Sequence, residues 1–221
     1  MKDRVQFIRG LMKWNGDKMR KATRIVATSL GILAGLAGLK HGIFEFIQGD
    51  IHPSNLMFPS IGSPCIPDKA WNACEPAMMI LPNFFAAGIL TIIVSILILV
   101  WTAGFVFYNE DGRILILLSI VLLLVGGGFF PPIIGWVGSV AAIQTKKPLD
   151  KAPGKFTRFA ATLWPWPLII LIVWLLGQFP IGYFFNDFLR NFMGFGLLLI
   201  LITLPFSVYV GSAYDTLRPP I

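Results

Sequence analysis

The chain has 221 residues, of which 56% are hydrophobic and only 13% charged, and it carries a formal net charge of +7. A mean hydropathy of +0.74 excludes a water-soluble globular domain, in which about a quarter of the residues are charged. The positive charge clusters beside apolar runs, which argues for membrane lipid as a partner and against nucleic acid.

Eight of the 18 Lys and Arg fall within residues 1–24. Val5, Ile8, Leu11, Met12 and Met19 recur among them at roughly helical spacing, the pattern of a basic amphipathic segment lying on a membrane surface. No small-residue cleavage site follows closely, so a cleavable signal peptide is not expected.

A span needs about 20 mostly apolar residues to cross roughly 30 Å of hydrocarbon. Ile25–Ile47, Leu81–Phe107, Ile114–Ala142, Leu163–Phe185 and Phe192–Val210 reach or approach that length. They predict an all-α, polytopic transmembrane bundle over 25–212, an external loop at 48–78 and a short cytoplasmic tail at 213–221.

In the first run, Gly31, Gly35, Gly38 and Gly42 form one stripe at three- and four-residue spacing. Such a stripe lets two helices approach closely, because packing drives association where lipid is as apolar as the protein. The same face continues to Glu45, so that carboxylate is expected to point into the bundle. His41 stands one turn before it and Lys40 adjoins. Ionisable groups at membrane depth are costly and mark candidate sites. The competing structural reading is that Glu45 is simply neutralised by Lys40 or His41.

The loop 48–78 carries Cys65 and Cys74, which in an oxidising compartment predict a disulfide staple. Two cysteines with only His52 nearby do not make a zinc set, so no metal or other cofactor is expected. Glu75, at the start of the second apolar segment, is the candidate to join His41 and Glu45 from outside, with Asn83 as a further polar contact.

The third run contains Gly126, Gly127 and Gly128, then Phe129, Phe130, Pro131 and Pro132. Glycine weakens a helix, interior proline breaks it, and proline is well tolerated in the first turn of a new one. Two short helices, Ile114–Val125 and Pro131–Ile143, are therefore expected, with one long kinked span as the competing reading. Charge accounting agrees. Leaving out Lys40, which lies inside a span, five crossings would put ten Lys and Arg on the basic side and seven on the other; with a returning hairpin the split is fifteen to two. The positive-inside rule favours the second. The prediction is thus four full spans plus a split hairpin, five to six hydrophobic segments in all, with both termini cytoplasmic in the plasma (inner) membrane.

GLKHGIFEFIQG (38–49), CEPAMMILPNFFAAGIL (74–90) and LVGGGFFPPIIG (124–135) resemble segments of an uncharacterised group of small prokaryotic multi-pass membrane proteins. The resemblance implies a multi-pass fold and brings no activity, substrate or residue role with it. No nucleotide-binding loop, serine elbow or zinc-protease motif occurs. The sequence accordingly favours a non-enzymatic component, either an accessory subunit that binds other membrane subunits or a small permease. The alternative is an intramembrane enzyme using His41, Glu45 and Glu75.

Overall fold

The structure, a computed structural model, describes residues 20–61, 75–106, 112–145 and 153–217. The basic segment 1–19, the pair Cys65 and Cys74, and most of the loop before Lys155 lie outside the described residues, and with them the expected surface helix and disulfide.

Seven α-helices carry the described fold: α1 (Lys21–Gln48), α2 (Phe84–Trp101), α3 (Arg113–Leu124), α4 (Phe130–Gln144), α5 (Lys155–Thr162), α6 (Trp166–Phe184) and α7 (Asn186–Leu217). A π-helical turn, Thr102–Val106, extends α2. Four helices, α1, α2, α6 and α7, are long and apolar enough to cross a membrane. Many of their large apolar side chains face outward, Val173 at 63% exposure and Leu198 at 54% among them, as helices in lipid require.

The stripe on α1 meets α2. A methyl group on Gly35 would stand 2.7 Å from the Leu99 side chain, on Gly38 2.6 Å from Ser95 Oγ, and on Gly42 2.9 Å from the backbone nitrogen of Ile92. Gly31 faces Thr102 of the π-turn in the same way. From the other side, Gly88 of α2 would press its methyl to 2.5 Å from the Phe46 backbone nitrogen. Backbone thus lies on backbone along the last two turns of α1.

The third apolar run is broken where the glycines stand. Gly126 and Gly128 hold φ of +112° and +75°, which side-chain-bearing residues rarely adopt, and prolines occupy the first turn of α4. With 12 and 15 residues, α3 and α4 are about 18 and 22 Å long. Their connecting turn is fixed to the loop between α1 and α2: Ile80 N–H donates to the Leu124 carbonyl at 3.0 Å, and Met79 bridges Val125.

The loop between α1 and α2 adds a short two-stranded hairpin to the all-α bundle. Met57–Ile61 (β1) and Glu75–Met78 (β2) pair antiparallel, with Met57 opposite Met78 and Phe58 opposite Ala77. The pairing buries Phe58, Ala77 and Met79 against Phe84 and Ala87, so apolar residues too few for a span still find cover.

The opposite end of the bundle is tied by a single carboxylate. Asp215 of α7 accepts the Ala22 and Thr23 N–H groups at 2.9 and 2.8 Å and the Thr23 hydroxyl at 2.7 Å. It satisfies the unpaired amides at the start of α1 and places a negative charge at the positive end of that helix. Within the segment expected as a tail, residues 213–217 form the last turn of α7, where Asp215 is 3% exposed.

Candidate functional site

The helical periodicity that lines up the α1 glycines carries two ionisable side chains on the same face, and both are buried: His41 is 3% exposed and Glu45 0%. What covers them is the Gly126–Gly128 turn. A methyl group on Gly126 would stand 2.5 Å from both Glu45 carboxylate oxygens, and one on Gly128 2.5 Å from His41 Cε1 and Nε2. The glycines therefore do two things at once. They permit the positive-φ turn between α3 and α4, and they leave room for an imidazole and a carboxylate to lie directly against its backbone.

Thr91 of α2 closes the site on a third side. Its hydroxyl lies 2.8 Å from the Val125 carbonyl and 3.5 Å from Glu45 Oε2. One hydroxyl proton serves one strong bond, and the shorter distance assigns it to Val125; the contact to Glu45 is at the limit of a hydrogen bond. Glu45 Oε1 has no hydrogen-bond partner among the described residues. A buried carboxylate in that condition must be compensated by a proton or a cation, because an isolated charge in apolar surroundings costs far more than either.

The remaining expected members are placed differently. Lys40 sends its ammonium toward α6, with Nζ 6.0 Å from the centre of the Phe179 ring. Asn83 caps α2 by accepting the Ala86 N–H at 2.9 Å, and its amide reaches Asp50 at 2.5 Å in an exposed region of the loop before α2. Glu75 is described in its backbone, in β2 opposite Ile61.

Comparison with protein-family models, with curated proteins and with solved structures gives no match. The chemistry has to be read from the residues alone.

Sequence reading did not single out Thr91, Ser95 or Gly88. A signal for them exists: the α2 sequence FFAAGILTIIVSILILVW is otherwise aliphatic and aromatic, and its two hydroxyls stand four residues apart on one face. Polar side chains at that spacing in an apolar helix point to the neighbour, not to lipid.

Proposed function

We propose that this chain is a small non-enzymatic permease of the plasma (inner) membrane that handles a proton or small cation at Glu45, with His41 as its neighbour in the site. The observation that carries this reading is Glu45 itself: fully buried, one oxygen without a hydrogen-bond partner among the described residues, lying against the Gly126 backbone at a helix break. Broken helices at membrane depth are tolerated where they line a site, and they expose backbone groups that bind ions and small substrates.

In the topology that accompanies this reading, α1, α2, α6 and α7 cross the bilayer. The α3–α4 pair, each helix shorter than the roughly 30 Å needed, enters from the cytoplasmic side and returns. Two observations support it. The Asp215 cap holds the beginning of α1 and the end of α7 together, which requires an even number of crossings between them. Apart from Lys40 within α1, the returning hairpin also leaves fifteen Lys and Arg on the cytoplasmic side and two outside.

The test is flux. Purified protein reconstituted in liposomes with a pH-sensitive dye, under an imposed potential, is expected to carry protons or a small cation. Glu45→Gln, which keeps the shape and removes the charge, is expected to abolish the flux while the protein still folds. Wild-type vesicles as tight as empty ones would remove the permease reading. If the protein then purified only in a fixed complex, the accessory-subunit reading would replace it.

A further inference from the structure

Thr91 stands between Glu45 and the α3–α4 turn with a single hydroxyl proton to give. Its side chain is fully buried, and it donates to the Val125 carbonyl at 2.8 Å while Glu45 Oε2 lies 3.5 Å away. Val125 ends α3, where the carbonyls of the last turn find no partner within the helix. From the loop before α2, the Ile80 N–H donates to the adjoining Leu124 carbonyl at 3.0 Å. The two ties differ in kind. The Ile80 bond joins backbone to backbone and is indifferent to charge. The Thr91 bond competes with a carboxylate for the same proton.

Which acceptor wins depends on the charge of Glu45. A hydrogen bond to an ionised oxygen is roughly twice as strong as one to a neutral carbonyl, and low-dielectric surroundings strengthen it further. While Glu45 is compensated, the Val125 carbonyl holds the hydroxyl proton, which is the arrangement observed. A protonated Glu45 then donates to the Thr91 oxygen, so that the bonds run in one direction from Glu45 through Thr91 to Val125. The bare carboxylate has acceptors only. Rotation of the hydroxyl, with Glu45 drawn closer, then reverses the direction and takes the donor away from Val125. The turn that loses this tie is one that Gly126 and Gly128 hold at φ of +112° and +75°.

We infer that Thr91 is a positioning residue that couples the charge of Glu45 to the α3–α4 turn, holding the turn while Glu45 keeps its proton and releasing it when the proton leaves for the aqueous phase. The inference rests on the reading of Glu45 as the group that binds and releases the carried ion. His41 is the other titratable side chain against this turn. The sequences of α2 and of residues 126–144 contain none, and Arg113 begins α3 at its far end. The Lys40 ammonium faces Phe179, and Asp50 and His52 are exposed in the loop after α1.

Hydrogen exchange of the full chain in liposomes tests it, with choline as the buffer cation so that the proton is the ion available to Glu45. Exchange of the amides of residues 126–130 is followed from about pH 5 to about pH 10 and corrected for its intrinsic rise with pH. Opening of the turn is expected to become about tenfold more frequent on the alkaline side, as for the loss of one hydrogen bond, while the middle of α2 stays unchanged. Thr91→Val, which keeps the shape and removes the hydroxyl, is expected to open readily at every pH, and Thr91→Ser to keep the step. Glu45→Gln is expected to stay closed at every pH, and His41→Gln to keep the step. Should Thr91→Val fail to fold, the wild-type profile and those of Thr91→Ser and Glu45→Gln decide. A wild-type profile without a step would overturn the inference. So would a step that survives in Thr91→Val or Glu45→Gln, or one that is lost in Thr91→Ser or His41→Gln. The readout needs no transport. Tight vesicles with a pH-dependent turn would remove the permease reading and leave this coupling, and flux with a pH-independent turn would do the reverse.

Discussion

The two halves of this molecule solve the same packing problem differently. In the first half, half of the most apolar stretch of α1 is buried, and α1 and α2 touch backbone to backbone through glycines on both sides. In the second half only 22% of the apolar stretch of α6 is buried, and its Trp174 ring is laid over Gly196 of α7. Lipid competes equally well for apolar surface everywhere. Close approach is thus what separates a fixed contact from a loose one. The buried ionisable pair lies in the fixed half, where neighbours cannot give way.

The comparison is broken most severely at Gly88. Gly88→Leu would force α2 away from the Phe46 and Gly42 backbones, neither of which can rotate aside. The expected cost is about 3 kcal/mol or more, read as a loss of monodisperse protein by size-exclusion chromatography in detergent. Next comes Gly126→Ala, which places a methyl on the Glu45 carboxylate and asks alanine to hold a positive φ. About 1–3 kcal/mol of destabilisation is expected, measured by thermal unfolding. Pairing it with Glu45→Ala should recover the part due to the clash and leave the part due to φ.

Asp215→Ala acts at the joint between the halves. It strips the Ala22 and Thr23 amides of their acceptor, for an expected loss of about 1–2 kcal/mol. Hydrogen exchange should show faster opening of the first turn of α1 than of its middle. The smallest effect is expected in the loose half: Gly194→Ala meets nothing within 4 Å, and alanine is the better helix former. Unchanged or slightly higher stability, by up to about 1 kcal/mol, is expected in the same melts. A large loss there would mean that α7 has a neighbour at Gly194.

Local pattern made much of this fold legible. Run length picks out the four long helices, the three- and four-residue spacing of Gly31 to Gly42 identifies the packed face of α1, and the sequence GGGFFPP marks the break between α3 and α4. The periodicity of α1 also aims Glu45 inward. Periodicity says nothing about what an inward side chain will meet. That the Gly126–Gly128 turn lies on His41 and Glu45, more than eighty residues earlier, depends on how α3 and α4 pack, as does the choice of Thr91 as the third wall. Asp215 was hidden for the same reason. Its acidic side chain near the end of an apolar run reads as a solvated terminus until α1 is seen beneath it.

The Asp215 contact has a bearing on how the protein is made. Its donors on α1 leave the ribosome 193 and 192 residues before their acceptor. Until α7 has been synthesised and inserted, the first helix must rely on lipid headgroups and water for the amides of its opening turn. Closure of the bundle is therefore a late event. A chain halted before Asp215 would present an uncapped first helix to the quality-control proteases of the membrane.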